Sequence, residues 1–296
     1  MGDINVTFLG TGIPIPNPNR AGTATLIEAG GLTLLFDAGR GVTTRLIQAG
    51  IKLSEIDAIF MSHYHSDHYS GLLDLVMTAA VPFPLGHRES SFPIYGPPGL
   101  EDITEGVNRA VQPDLKIRIL DEKIPAGSMR LDPHIYEEGV VFDQKGVRVT
   151  AIEVDHGDLV KPAFGFRVDF QGRSFVHSHD TKYCRNLIDQ SRGADVFVHE
   201  VAAANPEALA NSPKIQRIIG HHITPDLLGE VFAEVRPKLA LLTHIIRYPP
   251  DPPTLDDMLA DISQSYTEEV VAARDLMRLR IGETVEIIDE GILAPL

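Results

Sequence analysis

The sequence predicts an α/β fold: a four-layer sandwich of two mixed β-sheets packed face to face, with helices covering their outer sides. Three observations carry this. Strand-like and helix-like segments alternate along the 296 residues with no low-complexity or linker-like stretch between them. The strand-and-helix pattern of the first half recurs from residue 147 onward, so two β-rich halves follow one another, each with an apolar face to bury. A short apolar strand at 57–62 runs straight into four ligand-type side chains, a combination expected where strand ends meet in a layered fold. No repeat of 20–50 residues is present, and the expectation is one domain over residues 1–296, with a C-terminal helix and strand at about 254–293 belonging to it.

Each element follows from local pattern. Residues 3–9 read as a strand closed by the glycines of Gly10-Thr11-Gly12. Residues 23–28 and 32–37 alternate around Gly30-Gly31 and predict a hairpin, its second strand ending at Asp37. Residues 42–50 predict a helix, 57–62 a strand, and 71–80 a helix. Residues 82–99 are rich in Pro and Gly and read as loop, 100–112 as helix, and 117–154 as short strands separated by turns. Strands follow at 147–154, 164–170 and 173–178, with a turn at Gln171-Gly172, then a helix at 183–190, a strand at 195–199, a helix at 225–235 and a strand at 238–243. A long helix over 254–275 and a strand over 283–293 complete the reading.

Composition bounds the function. With 43% apolar residues the chain can bury a large core, and no run of about 18 apolar residues provides a membrane span. The N-terminus reads as a strand and turn, not as a basic and apolar export signal, so a cytoplasmic location is expected. One cysteine, Cys184, excludes an intrachain disulfide framework and fits a reducing compartment. The formal charge of −15, with 26 Lys and Arg dispersed, predicts repulsion of phosphate backbones.

The chemistry concentrates in Ser62-His63-Tyr64-His65-Ser66-Asp67-His68. On an extended segment His63 and His65 share a face and Asp67 can follow, while a turn beyond the strand swings His68 towards a second position. Neutral imidazoles and carboxylates suit zinc, and also iron or manganese.

This motif resembles the signature of the metallo-β-lactamase superfamily, and its context resembles the branch of ribonuclease Z and the zinc-dependent arylsulfatases. The segments that carry the likeness are LGTG at 9–12, FDAGRG at 36–41, SHYHSDHYSGL at 62–72, YGPPGL at 95–100, VDHGDLVKPAFGFR at 154–167, SHDT at 178–181, VHE at 198–200, HHIT at 221–224 and LTH at 242–244. The resemblance implies two zinc ions per chain, with manganese or iron compatible. His63, His65 and His156 would hold one ion, Asp67, His68 and His244 the other, with Asp180 bridging. Taken alone, His156 and Asp180 read as ordinary surface or turn residues. Asp37 would orient a metal-bound histidine through its second ring nitrogen. His222, oriented by Glu200, would stabilise a developing oxyanion, and Asp67 or Asp180 would orient the nucleophile; the spacing to Thr224 favours His222 over His221. One position departs from the family pattern: His179 stands where glycine is usual, and can add a ligand, block part of the pocket or turn away.

The expected activity is hydrolysis of a small ester (aryl sulfate, phosphodiester, carboxylic ester or lactone) by a metal-bridging hydroxide. The alternative is a transfer RNA 3′-processing endonuclease, disfavoured by the acidic charge and by only 23 residues between His156 and Asp180, where the bacterial enzymes of that kind carry an RNA-binding arm. A second alternative is a non-hydrolytic metal-binding or redox protein, which His65 argues against. Nucleic acid and membrane partners are thus not expected, and a homodimer is compatible with the branch. Phe83, Phe92, His87, Tyr64 and Tyr248 are candidate pocket residues.

Overall fold

Alternation of side chains across the first strands creates two separate buried layers. In the computed structural model, which describes residues 2–292, strand β1 (Ile4–Gly10) turns Ile4, Val6 and Phe8 into one apolar cluster and Leu9 into another. Strands β2 (Ala24–Ala29) and β3 (Leu32–Phe36) form the expected hairpin and divide in the same way: Ile27, Leu34 and Phe36 face the first cluster, Leu26 and Leu35 the second. Gly30 and Gly31 both take positive φ, the conformation that a two-residue hairpin turn needs. Helix α1 (Val42–Gln48), strand β4 (Ala58–Phe60), the single helical turn α2 (Ser66–Tyr69) and helix α3 (Leu72–Ala80) follow. Then come β5 (Phe92–Gly96), α4 (Leu100–Ala110), α5 (Gln112–Asp121) and β6 (Leu131–Ile135). Leu46, Leu72, Val76, Leu100 and Leu115 close the outer cluster over the sheet.

The second half repeats the arrangement. Strands β7 (Gly139–Gln144), β8 (Val147–Val154), β9 (Ala163–Phe170) and β10 (Arg173–His177) pair antiparallel in sequence order. Helix α6 (Arg185–Ser191), strand β11 (Val196–Ala204), helices α7 (Pro206–Asn211), α8 (Pro213–Ile219) and α9 (Pro225–Val235), and strand β12 (Leu239–Tyr248) come next. Helix α10 (Leu255–Ser263) leads to the edge strand β13 (Val270–Ala272), and the hairpin β14 (Arg278–Ile281) and β15 (Val285–Asp289) returns to β1. The sheet orders are β15-β14-β1-β2-β3-β4-β5-β6 and β13-β12-β11-β10-β9-β8-β7. Phe8, Phe36, Phe60, Phe142, Phe166 and Phe175 fill the space between the sheets, and Ile188, Phe197, Phe232, Leu242 and Met258 fill the layer between the second sheet and its helices. The four-layer αββα architecture is therefore the one expected.

Several elements differ from the sequence reading. The helix expected over 254–275 ends at Ser263. Thr254 starts it with a reciprocal capping box to Asp257, but the β-branched Val270 and Val271 gain a parallel ladder beside β12 instead of extending it. Strand β5 lies in the Pro- and Gly-rich stretch read as loop; Pro93 masked it, because a proline in a run argues against a strand until tertiary pairing supplies partners. Helix α5 occupies the start of a stretch read as strands, and α7 and α8 lie where no element was read. The last strand is shorter than 283–293, and residue 293 lies outside the described residues. Among the described residues no helix is long and apolar enough to cross a membrane.

Asp195 ties the parallel strands of the second sheet together. Its Oδ2 accepts the Ser174 N–H at 2.7 Å, and Lys238 Nζ lies 2.6 Å from its Oδ1. Burial pushes this carboxyl up, but Lys238 and the Ser174 N–H outweigh it and hold it below the ordinary value. A carboxyl lowered on folding stabilises the fold above the ordinary carboxylate range, near pH 4, and loses that contribution as pH falls through the lowered value. Asp195→Asn is expected to cost about 1–3 kcal/mol at neutral pH. Denaturant melts across pH would show the gap from the parent closing in acid; a gap that persists there would count against the charged contact.

Candidate metal centre

The site forms where the ends of β3, β4, β8 and β10 meet a bulge inside β12. Asp37 is the first residue beyond β3 and has φ of 55°. Beyond β4 the chain stays extended through His63 to His65, then enters the turn α2, which carries Asp67 and His68. His156 lies just past β8, and Asp180 just past β10. His244 lies within β12, where the pairing steps from Glu200–Thr243 to Val201–Ile245 and leaves His244 as the extra residue of a bulge, with φ of 44°. The bulge aims its ring out of the regular pleat. Gly39 allows the loop after β3 to close on α2: a Cβ there would lie 2.2 Å from the Asp67 carbonyl oxygen.

The donor atoms form two groups around one carboxylate. His63 Nε2 and His156 Nε2 each lie 3.1 Å from His65 Nδ1. His68 Nε2 and His244 Nε2 lie 3.6 and 3.1 Å from Asp67 Oδ2. Asp180 Oδ2 stands between the groups, 3.9 and 3.7 Å from His63 and His156 and 3.4 and 3.5 Å from His68 and His244. Donors held about 2.0–2.1 Å from a tetrahedral ion lie roughly 3.3 Å apart, so both groups have the spacing of a coordination shell. Asp67 Oδ1, Asp180 Oδ1 and His68 Nε2 are buried and have no hydrogen-bond partner among the described residues. Three imidazole nitrogens converging with no carboxylate interposed leave lone pairs aimed at one point. One cation in each group would satisfy these atoms. The donor clusters on this fold thus indicate a binuclear metal site.

The electrostatics separate the two groups of donors. Burial pushes His63 and His65 below the ordinary imidazole range and lowers His156 to about 4. All three are held neutral, as ligands must be. On His68 burial opposes charge, but Asp180, Asp67 and Asp37 outweigh it and hold the imidazole above its ordinary value. His222 stacks on His244 at 5.8 Å and shares a donor group with Asp180 and His244. Glu200 Oε2 lies 3.2 Å from His222 Nδ1, and its Oε1 accepts the Ile223 N–H. His222 thus faces the cluster, whereas His221 packs on Gly157 and offers its carbonyl to His156 Nδ1.

Of the three outcomes open to His179 the structure takes the last, and the candidate pocket residues lie in ordinary packing or at the surface. His179 turns away with φ of 49°; its Nδ1 lies 2.9 Å from Asp37 Oδ2, behind His68, and it is absent from the donor groups around Asp180. Among the candidate pocket residues, Phe92 is core, Phe83 packs against it, Tyr64 donates its hydroxyl to the Pro97 carbonyl, Tyr248 packs on a small cluster with Ile13, and the side chain of His87 is exposed beside Glu89. Ser62 was not foreseen. Its N–H and hydroxyl donate to Asp37 at 2.8 and 2.7 Å, a role that only the meeting of β3 and β4 reveals.

Comparison with known proteins agrees with the geometry. Residues 33–245 match the model of the Beta-lactamase superfamily domain. Ribonuclease Z of Mycobacterium avium (strain 104) is 34% identical over 249 residues, covering 82% of this chain and 86% of the relative. Ribonuclease Z of Mycobacterium sp. (strain KMS) is 32% identical over 289 residues, covering 97% and 100%. Among solved structures, the metallo-β-lactamase fold protein YhfI of Bacillus subtilis superposes with a TM-score of 0.73 at 20% identity over 94% of this chain and 99% of its own. The short form of human tRNase Z gives 0.66 at 24% identity over 94% and 99%.

These likenesses overturn the expectation of a small-ester substrate and of no nucleic-acid partner, and lend nothing to an arylsulfatase assignment. The physical error was to let net charge stand for local potential. The charge of −15 is a sum over the whole chain and does not locate its acidic groups; Arg20 and Arg247 line a hollow beside β12, next to Ile245, and Arg40 and Arg45 line an adjoining one, with Arg45 ion-paired to Asp275. The short stretch between His156 and Asp180 is simply the β9–β10 hairpin.

Because Asp180 is the carboxylate between the two groups, Asp180→Ala is expected to reduce the metal content of the purified chain from about two ions to one or fewer. Elemental analysis after dialysis measures this, and retention of two ions would remove Asp180 from the bridging position.

Proposed function

We propose, from the premise that this chain belongs to the metallo-β-lactamase superfamily and to its ribonuclease Z branch, that it is a zinc-dependent endonuclease acting on the 3′ side of precursor transfer RNA. The chain is a metal-dependent hydrolase of ester bonds, and the phosphodiester of RNA is the ester that this reading assigns to it. The observation that carries the substrate is likeness over almost the whole chain to relatives named ribonuclease Z.

In this reading His63, His65 and His156 would hold one ion and Asp67, His68 and His244 the other, with Asp180 the carboxylate available to both. The mixture of imidazole and carboxylate donors at tetrahedral spacing favours zinc. When bound, the metal pair supplies Lewis acidity and acidifies a water molecule. The remaining work falls to side chains. Asp67 Oδ1, buried and without a hydrogen-bond partner among the described residues, is placed to accept a proton from the attacking water. On His222 burial opposes the charged form, but Glu200 outweighs it and holds the imidazole above its ordinary value, so it can donate a proton to the leaving oxygen. Glu200 itself is clamped by the Ile223 N–H and by Ser178, whose hydroxyl accepts the Glu200 N–H at 3.1 Å. That clamp fixes which way the His222 ring faces.

A precursor transfer RNA bearing a 3′ trailer is the direct test. The zinc-loaded chain is expected to release the trailer, and the chelated chain is not; failure on this RNA, with turnover of a nitrophenyl phosphodiester retained, would overturn the substrate reading. His222→Ala should lower kcat by roughly 10²–10⁴-fold at unchanged metal content. Glu200→Gln should lower it less, since the amide still accepts a hydrogen bond. A His222→Ala variant with parental kcat would remove this residue from the chemistry.

A further inference from the structure

The Asp37 carboxylate is more crowded with partners than a residue that only orients one histidine requires. Its Oδ1 accepts the Ser62 N–H at 2.8 Å. Its Oδ2 accepts the Ser62 hydroxyl at 2.7 Å and lies 2.6 Å from His68 Nδ1. His179 Nδ1 approaches the same Oδ2 to 2.9 Å, within ion-pair reach though off the line of a hydrogen bond. All four residues are fully or almost fully buried.

His179 is itself held from three sides. Its ring stacks on His177 with centroids 4.1 Å apart and planes 25° apart, and meets Phe166 edge-on at 5.3 Å and 90°. Its N–H donates to His177 Nδ1 at 2.9 Å, and its carbonyl accepts the Ser178 hydroxyl at 2.7 Å. The left-handed backbone is one that histidine adopts less readily than glycine, so it persists here because packing holds it. The ring lies against Asp37 and outside the donor groups around Asp180, so an immobilised imidazole adds a third contact at the Oδ2 already shared by Ser62 and His68.

We propose that His179 is a positioning residue: wedged between His177, Phe166 and Asp37, it presses the Asp37 carboxylate against His68 and so fixes the direction in which His68 presents Nε2 to the metal pair. The chain of contact is His179 to Asp37 to His68, and the effect falls on the position formed by Asp67, His68 and His244. The position formed by His63, His65 and His156 is one contact further removed, reaching Asp37 through Ser62, whose Oγ lies 3.1 Å from His63 Nδ1, and the effect there is smaller. This inference rests on the metal-centre reading above, and the test separates the two.

The experiment strips the full-length chain of metal, then titrates it with Zn²⁺ against a chromophoric chelator and with Co²⁺ read by its visible absorption. Three proteins are compared: the parent, His179→Gly and His179→Asn. Glycine and asparagine both tolerate positive φ, and the asparagine amide nitrogen can take the place of Nδ1. In His179→Gly one of the two binding steps should weaken about 10-fold or more, as loss of a partner behind a ligand does. The other step should stay within about 3-fold, and the cobalt bands of the weakened position should shift. His179→Asn should restore most of the loss. Equal binding constants and identical cobalt spectra in the parent and His179→Gly would overturn the proposal. So would equal losses in both variants that track a lowered melting temperature, since that is the mark of packing alone. A parent chain that binds fewer than two ions would instead overturn the metal-centre reading, and this inference with it.

Discussion

Several imidazoles and carboxylates are sealed from water at one point where the two sheets meet, and that concentration of buried polar atoms is the constraint that organises the rest. Such atoms are costly to bury without partners. Here Asp67, Asp180 and His68 each keep an atom with no hydrogen-bond partner among the described residues, and three histidine nitrogens converge with no carboxylate between them. A pair of cations resolves the conflict, and the surrounding structure serves to keep the donors from relaxing in any other way. Beneath them Phe36, Phe60 and Phe166 pack ring on ring, with Phe36 and Phe60 stacked at 4.9 Å. This gives the strand ends a rigid floor.

Backbone conformation shows where the constraint is borne. Asp37, His179 and His244 all have positive φ, and none is glycine. Each sits one or a few residues past the regular part of a strand, or on a bulge inside one, where the side chain must leave the alternating pleat to face the site. A left-handed residue costs of order 1–2 kcal/mol, and three together persist only because packing over-determines them. The long parallel pairing of β11 with β12 and the apolar layer beneath α9 supply that packing on the His244 side.

Charge acts differently at different ranges. The net charge of the whole chain says little about the field at one site, such as a buried donor set suited to divalent cations. Local fields decide what approaches. The same separation of scales appears in the secondary structure. The hairpin of β2 and β3, the helix α9 and the strands around His63 were legible because their periodicity and turn residues act over a few neighbours. Strand β5, with Pro93 inside it, and strand β13, taken from what reads as a long helix, were not, because their conformation is decided by ladders with β4, β6 and β12.

The sequence alone determined the four-layer class and the presence of a metal-binding cluster, because hydrophobic alternation and the spacing of His63, His65, Asp67 and His68 are local properties of consecutive residues. The identity of the distant candidates, His156, Asp180, Glu200, His222 and His244, came from resemblance; His244 at the end of an apolar strand carried a local hint, whereas His156 and Asp180 read alone as ordinary surface or turn residues. The spacing to Thr224 already favoured His222 over His221, but only the tertiary structure decided that Ser62 secures Asp37 and that His179 stands behind the site. Those facts depend on which strand ends are brought within about 3 Å of one another, and that is set by the packing of two sheets whose contacting residues lie more than a hundred positions apart.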